Sequence, residues 1–141
     1  MSTEDETASD AERGPRQAIP GYQLLAQLGK GAIGSVYKAR QVSLDRVVAI
    51  KVLHPALARQ PHCAERFVEE ARMLARLAHP NIVTPFDVGH TGKFYYLVME
   101  YMDGRTVANL LERGGSLDEK RALGILYQIS LALEHVADHD M

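Results

Sequence analysis

The sequence predicts an α+β fold in which strand-like segments come first and helices follow. Three observations support this prediction. A glycine-rich stretch over residues 29–34 separates two segments that have the alternation of β-strands. A third segment, residues 47–53, is apolar at almost every position, as a strand buried on both faces would be. From residue 65 onward, apolar residues recur instead at helical spacing.

The first two strands flank the glycine-rich loop. Tyr22 and Leu24, and less strictly Ala26 and Leu28, alternate with other residues before it, and residues 35–40 again have a strand pattern after it. A hairpin tip without side chains lets backbone N–H groups approach a polyanion such as a triphosphate. The competing dinucleotide motif must open a helix and keep an acidic residue about 20 positions later. Because strand residues follow here, a triphosphate is favoured.

Lys51 stands in the third strand, whose two faces are both expected to be buried. It shares one face with Ala49 and Leu53, while Val48 and Ile50 lie on the other. A lysine in these surroundings needs an anion nearby. The alternative is that Lys51 extends along apolar surface to solvent from a strand end. That alternative is less favoured because apolar residues flank Lys51 on both sides in sequence.

Glu70 is the expected partner of Lys51. Phe67 and Leu74 belong to the apolar stripe of the helix predicted over residues 65–77, and Glu70 stands between them on what is expected to be the inward face. An unpaired carboxylate there would be costly. We therefore expect one ion pair between the strand lysine and the helix glutamate.

Two further helices are predicted downstream. Thr106 is expected to cap a short helix over residues 107–112, which ends at Gly114 and Gly115. Residues 116–119 have the pattern of a capping box headed by Ser116, and they open a long helix that runs towards the end of the chain. One face of that helix has no evident cover, so self-association through it, or fraying of residues 117–141, is expected. The uncovered face comprises Ile125, Leu126, Ile129 and Leu133.

These motifs resemble those of the eukaryotic-type protein kinases, and most closely their bacterial serine/threonine members. The resemblance spans residues 22–141 and rests on five ordered segments, residues 28–40, 48–51, 66–71, 77–83 and 96–104. It implies a kinase-like N-lobe over residues 22–104, with a five-stranded antiparallel sheet, one prominent helix and a connector. Residues 105–141 would then begin a larger C-lobe.

The resemblance also implies an ATP site. The glycine loop would cover the phosphates, Ala49 would face the adenine, and Met99 would stand beside the adenine pocket. The Glu100 carbonyl and the Met102 amide would hydrogen-bond the adenine edge. Lys51 would hold the α- and β-phosphates, oriented by Glu70. The residues implied to contact ATP are Leu28, Gly29, Lys30, Gly31, Ala32, Ile33, Gly34, Ser35, Val36, Ala49, Lys51, Met99, Glu100 and Met102.

The implied activity is phosphoryl transfer from ATP to serine or threonine of a protein substrate. In this family the catalytic aspartate and the Mg²⁺ ligands belong to motifs expected beyond residue 141. Mg²⁺ is therefore expected for the full-length enzyme with ligands absent here, and these 141 residues alone are expected to be inactive. Two alternatives remain open: a non-catalytic nucleotide-binding or regulatory module, and a fragment of a dinucleotide-binding oxidoreductase.

Two positions depart from the family pattern. Ile33 stands at the loop tip where an aromatic residue or methionine is frequent, which is expected to alter loop closure and not backbone chemistry. Pro85 stands where the next strand normally contributes an apolar residue to the column joining the lobes. Proline is compatible with an edge strand, so a local change with a retained fold is expected.

Composition narrows the function class further. The net charge is −2 and nothing in the sequence points to nucleic acid. No apolar run approaches the roughly 20 residues of a membrane span, so a cytoplasmic chain is expected, although bacterial relatives often carry an anchor beyond this region. Residues 1–18 are expected to form a disordered acidic tail. The i, i+4 pair His135 and His139 is expected to be helix surface and not a metal site.

Overall fold

Residues 19–92 and 94–139 are described by a computed structural model. Their strands are β1 (Tyr22–Lys30), β2 (Gly34–Gln41), β3 (Arg46–Leu53), β4 (Pro85–Thr91) and β5 (Phe94–Glu100). Their helices are α1 (Pro55–Ala58), α2 (Pro61–Leu74), α3 (Val107–Gly114) and α4 (Glu119–Asp138). The strands form one antiparallel sheet in the order β1-β2-β3-β5-β4. The predicted α+β fold is confirmed, and the expected acidic tail, residues 1–18, lies outside the described residues.

The central strand β3 packs on both of its faces, as predicted. On the face called the outer face, Val48, Ile50 and Val52 join a cluster that Ile19 and Phe94 help to complete. Ile50 is fully buried there. Alternation along β3 places Leu53 on the opposite, inner face, in a separate cluster. The strand that carries Lys51 is thus fixed from both sides.

Helix α2 covers the inner face. Pro61 occupies its first turn, where a missing N–H costs nothing, so the helix begins before the expected residue 65 and ends at Leu74. Ala64, Phe67 and Ala71 are its buried residues. They recur at i, i+3 and i+7, the spacing of a single helical face. This face packs with Leu53 and Leu97 of the sheet.

Pro85 begins β4, which is an edge strand of the sheet. It stands opposite Met99, and a register shift follows between Pro85 and Asp87. Proline cannot donate a ladder hydrogen bond, so an edge strand and an irregularity are where it is tolerated. The expected local change with a retained fold is confirmed.

The expected cap of α3 is confirmed, whereas a different residue from the one expected caps α4. The Thr106 hydroxyl accepts a hydrogen bond from the Asn109 N–H at 3.1 Å, as expected for the cap of α3. The prediction that Ser116 heads a capping box at the start of α4 is wrong. Asp118 caps α4, accepting from the Arg121 N–H at 2.9 Å. Both residue types can cap, and the carboxylate also interacts favourably with the positive end of the helix dipole.

One side of α4 is held by the loop that precedes β4. The Asn81 side-chain amide donates to the Gln128 carbonyl oxygen at 3.0 Å. Ile125 is half-buried on this side, so the expectation that it lacks cover is wrong. Leu126, Ile129 and Leu133 are exposed, as expected. None of the helices within the described ranges combines the length and apolarity needed to cross a membrane.

His135 also lies on the covered side of α4. Its ring centroid is 5.2 Å from that of His79 and 4.4 Å from that of His139. The His135 Nε2 atom is buried without a hydrogen-bond partner. The expectation of a surface pair is therefore wrong for His135, because a loop residue packs against it, and it holds for the exposed His139.

Candidate nucleotide-binding site

A single row of residues crosses the sheet beneath the glycine loop. Gly29 stands opposite Val36, Val36 opposite Lys51, and Lys51 opposite Leu97. Directly opposite residues of antiparallel strands share a face, and Leu97 belongs to the inner cluster under α2. The row therefore places Val36 and Lys51 on the inner face, next to the base of the loop.

A second row lies two residues further along the same face. Ala49 of β3 stands between Lys38 of β2 and Met99 of β5. Ala49 is only 6% exposed, and Met99 is half-buried. The short alanine side chain next to the larger Met99 leaves a shallow apolar floor. A flat aromatic group is the chemistry that such a floor accepts.

The loop itself is a tight turn between β1 and β2. The Gly31 N–H donates to the Gly34 carbonyl oxygen at 2.8 Å. Gly34 packs directly on the backbone of β3, where an added β-carbon would overlap the Val52 carbonyl oxygen. Gly29 and Gly31 are exposed, and a β-carbon on either would meet at most ordinary contacts. The glycines thus have two roles. Gly34 lets the loop pack closely on β3, and Gly29 and Gly31 leave the loop backbone uncovered by side chains.

The remaining loop residues differ in their surroundings. Lys30, Ala32 and Ile33 are exposed, whereas Ser35 is buried and its hydroxyl accepts from the Gln27 side-chain amide at 3.4 Å. Ile33 lines a cavity of about 200 Å³ that opens between the loop tip and α2, together with Leu53, Leu57, Cys63, Arg66, Phe67 and Glu70. An apolar loop-tip residue therefore faces α2 here.

His54, which immediately follows β3, was missed as a site residue. Its backbone N–H donates to the Ile33 carbonyl oxygen at 2.9 Å, and its Nε2 lies 3.2 Å from the Gly31 carbonyl oxygen. The sequence shows a histidine at a strand end. It carries no signal that β2 would bring the loop tip to that point.

The expected ion pair between Lys51 and Glu70 is not formed. Within the described ranges, the salt bridges are Arg40 with Asp45 and Arg66 with Glu70. The Glu70 side chain is 63% exposed and lies 3.7 Å from Arg66. Lys51 Nζ instead lies 6.0 Å from the centroid of the Phe67 ring. The expectation that Glu70 points inward is therefore wrong in this structure.

The orientation of α2 explains this difference. Its buried residues, Ala64, Phe67 and Ala71, define the face that contacts the sheet. At 3.6 residues per turn, Glu70 lies about a quarter turn from the centre of that face. Phe67 buries more apolar area when it faces the sheet than Glu70 would, and a carboxylate keeps its hydration outside. The hydrophobic term sets the helix orientation when no ligand is present.

The connector after β5 is anchored through Glu100. Its backbone N–H donates to the Thr84 carbonyl oxygen at 2.9 Å, and its side-chain Oε1 accepts from the Thr84 N–H at 2.8 Å. The start of the connector is thereby fixed to the segment before β4. Met102 and Leu28, two further predicted contacts, have exposed side chains. Met102 also lines a cavity with Ile125 and Ile129 of α4.

Titratable groups with displaced pKa values lie on the other face of the sheet. Burial, and secondarily the Asp87 carboxylate, raises the pKa of the Tyr22 and Tyr96 hydroxyls. Their rings meet edge to face, with centroids 6.4 Å apart. Both residues pack against the outer cluster. They are structural phenols and not part of the candidate site.

The structure thus brings together the glycine loop, Lys51, Ala49 and Met99, and leaves Glu70 outside. No group of three or more histidine, cysteine, aspartate or glutamate side chains in residues 19–92 and 94–139 is arranged to hold a metal ion.

Comparison with known proteins identifies the family to which this chain belongs. Residues 22–141 match the family model of the protein kinase domain. The chain is 41% identical over 114 residues to the serine/threonine-protein kinase PrkC of Bacillus subtilis. This match covers 81% of the chain and 18% of PrkC. It is 42% identical over 117 residues to the serine/threonine-protein kinase pkn2 of Myxococcus xanthus, covering 83% of the chain and 14% of pkn2. The chain therefore spans less than a fifth of the length of each of these relatives.

Solved structures resemble the same region. The kinase domain of Mycobacterium tuberculosis PknI superposes with a TM-score of 0.75 and 28% sequence identity, covering 90% of this chain and 51% of that domain. The match includes the five-stranded sheet with its helices, and about half of the solved domain has no counterpart in these 141 residues. The chain belongs to the protein kinase family, of whose catalytic domain it is an N-terminal portion.

Proposed function

We propose that this chain binds ATP against the inner face of its sheet and supplies the nucleotide-binding part of a serine/threonine protein kinase. The observation that supports this most is the row that joins Gly29, Val36 and Lys51 across three strands. It brings a bare backbone loop and a cation to one strip of one face. A chain of phosphates needs that combination.

Lys51 is the proposed phosphate ligand. Within the described residues no carboxylate oxygen lies within 4.0 Å of it, as the two salt bridges involve other residues. Its half-buried position beside Phe67 and Leu97 makes an unpaired ammonium costly. A phosphate oxygen would offset that cost with a charge-assisted hydrogen bond. An anion is therefore a better partner for the Lys51 ammonium than water is.

Leu28, Val36 and Ala49 are proposed to lie on one side of the adenine, with Met99 beside the adenine pocket. The half-exposed Leu28 would lose contact with water when a ring system lies beneath the loop. The Glu100 carbonyl and the Met102 amide are proposed to bond the adenine edge, and Glu100 is already fixed by Thr84. The other proposed contacts to ATP are those of the loop, residues 29–35.

Glu70 is proposed to orient Lys51 only when nucleotide is bound. Its bond to Arg66 is an exposed i, i+4 pair, and such pairs contribute about 0.3–0.5 kcal/mol. That is a small cost for releasing Glu70. A rotation of α2 by about a quarter turn would bring the carboxylate to the sheet. Breaking the packing of Phe67 opposes this rotation, so the phosphate-bound lysine must favour it.

Mg²⁺ is the ion that kinases use to neutralise the phosphate charge. Among the described residues, no three or more histidine, cysteine, aspartate or glutamate side chains are grouped to hold a metal ion, and we assign Mg²⁺ no step here. The proposed protein substrate, serine or threonine in a protein, likewise rests on the names of the relatives, PrkC and pkn2. Residues 22–104 and 105–141 are proposed to belong to the two lobes of one kinase domain.

Thermal unfolding with nucleotides tests the proposal. We expect ATP to raise the melting temperature of the 141-residue chain in a concentration-dependent way, because a ligand that binds only the folded state stabilises it by RT ln(1 + [L]/Kd). We expect NAD at equal concentration to have no effect. A shift with NAD and none with ATP would instead support a dinucleotide-binding protein.

A transfer assay separates binding from catalysis. The 141 residues contain neither a His-Arg-Asp nor an Asp-Phe-Gly sequence, and phosphoryl transfer depends on the groups those motifs carry. We expect ATP binding without transfer of labelled phosphate to a serine-containing protein. Transfer by this chain alone would show that other residues act as the base.

We also propose that the chain associates with a second copy through α4. Leu126, Ile129 and Leu133 are exposed on one side of this helix, and Leu133 is 63% exposed. A contiguous apolar patch of this kind favours association. We expect the weight-average mass in sedimentation equilibrium to rise with concentration, and the double variant Leu126→Glu/Leu133→Glu to remain monomeric. A wild-type chain that stays monomeric at the highest concentration would contradict this proposal.

A further inference from the structure

His54 contacts the tip of the glycine loop twice. Its backbone N–H continues the ladder between β2 and β3 by donating to the Ile33 carbonyl oxygen at 2.9 Å. Its ring Nε2 lies 3.2 Å from the Gly31 carbonyl oxygen. The two carbonyl groups that bracket Ala32 are therefore both turned towards His54, the residue that follows β3.

The chemistry of the second contact fixes the proton on the ring. A carbonyl oxygen can only accept a hydrogen bond, so His54 Nε2 must be the donor and must carry a proton. Both the neutral Nε2–H tautomer and the imidazolium meet this requirement. Phenylalanine has a ring of similar size without a donor, and glutamine has a donor without the ring.

The ring contact also orients one amide of the loop tip. In a trans peptide the C=O and the next N–H point in opposite directions within one plane. Turning the Gly31 carbonyl towards the His54 ring thus turns the Ala32 N–H away from that ring. His54 lies beside Tyr37, Val52 and Phe94, all packed in the outer cluster. The Ala32 N–H is consequently directed away from the outer side of the loop.

From this geometry we infer that His54 is a positioning residue of the phosphate-binding loop. Its ring holds the Gly31 carbonyl on the outer side, so that the Ala32 amide stays available to a phosphate on the inner side. This inference rests on the proposed function for its consequence in ATP binding. The orientation of the loop tip itself does not depend on any ligand.

The test compares three variants of the 141-residue chain. His54→Phe removes the donor and keeps the ring, His54→Gln keeps a donor of similar reach, and His62→Phe is the control. His62 is exposed at the start of α2 and does not contact the loop. Exchange of the Gly31 amide, measured by NMR without nucleotide, reports opening of the tip because that amide is bonded to the Gly34 carbonyl oxygen. The Kd for ATP is measured in parallel by calorimetry.

We expect His54→Phe to speed exchange of the Gly31 amide by about two- to tenfold, the range that loss of one net hydrogen bond supports. The Kd for ATP should rise by a similar factor. His54→Gln should restore both to within about twofold of wild type, and His62→Phe should change neither.

Three results would overturn the inference. One is unchanged exchange of the Gly31 amide in His54→Phe. Another is equally fast exchange in His54→Gln, which would mean that a hydrogen-bond donor at this position does not hold the tip. The third is unchanged ATP affinity in a His54→Phe variant whose loop has opened. If the wild-type chain fails to bind ATP, the proposed function fails, and the exchange measurement still decides whether His54 holds the tip.

Discussion

Replacing Lys51 with methionine is expected to weaken ATP binding by about ten- to a hundredfold while leaving the fold at least as stable. A hydrogen bond to a charged group contributes about 1.5–3 kcal/mol, and the Lys51 ammonium is the charged donor on the row beneath the loop. Lys51 is half-buried, and within the described residues its ammonium has no carboxylate partner. Methionine fills the space with an unbranched apolar chain and removes the unpaired charge.

Calorimetric titration with ATP and thermal unfolding of the free chain measure the two effects separately. Lys120→Met is the matched control, because Lys120 is exposed in the first turn of α4. It makes the same change of charge outside the proposed site. Equal ATP affinity in Lys51→Met and wild type would exclude Lys51 as a phosphate ligand. A large loss of melting temperature in Lys51→Met would mean that the lysine has a structural role.

Replacing Gly34 with alanine is expected to have the largest effect on stability among the loop glycines. The added β-carbon would overlap the Val52 carbonyl oxygen, which is backbone and cannot rotate away. Overpacking of this kind costs about 1–3 kcal/mol, because the β1–β2 turn must move off β3. With urea m-values of about 1–3 kcal/mol/M, the unfolding midpoint should fall by about 1 M.

Gly29→Ala and Gly31→Ala provide the comparison. A β-carbon at Gly29 has no neighbour within 4 Å, and one at Gly31 would lie 3.8 Å from the Gly34 carbonyl oxygen, an ordinary contact. Both variants should unfold near the wild-type midpoint. If Gly34→Ala did so too, the loop would have room to leave the strand without cost, and its close packing would not be a constraint on the fold.

Much of the fold could be predicted from local patterns. The two buried faces of β3 follow from its unbroken apolar run, and the cap of α3 follows from Thr106. The edge position of Pro85 is confirmed as well. In each case the deciding interaction lies within one element or between neighbouring strands. Such features depend little on how distant parts of the chain meet.

The features that were predicted wrongly depend on competition between elements. Glu70 and Phe67 both stood near the predicted inward face of α2, and periodicity alone could not say which would contact the sheet. Packing of the larger apolar side chain decided it. Likewise Ser116 and Asp118 are both of a residue type that can cap a helix, and Asp118 is the one that caps α4. The contact of His54 with the loop depends on the register between β2 and β3, for which no residue near His54 is diagnostic.

The two hydrophobic clusters of the sheet share no buried residue, although β3 contributes to both. Substitutions in one cluster should therefore be nearly additive with substitutions in the other, because additivity fails mainly where side chains touch. The helix that covers Leu53 and Leu97 could be made tighter or looser by changing Ala64 or Ala71 alone. The strand that presents Lys51 would keep its other anchorage, through Ile50 and Val98. Helix mobility and strand rigidity are thus separately adjustable properties of this chain.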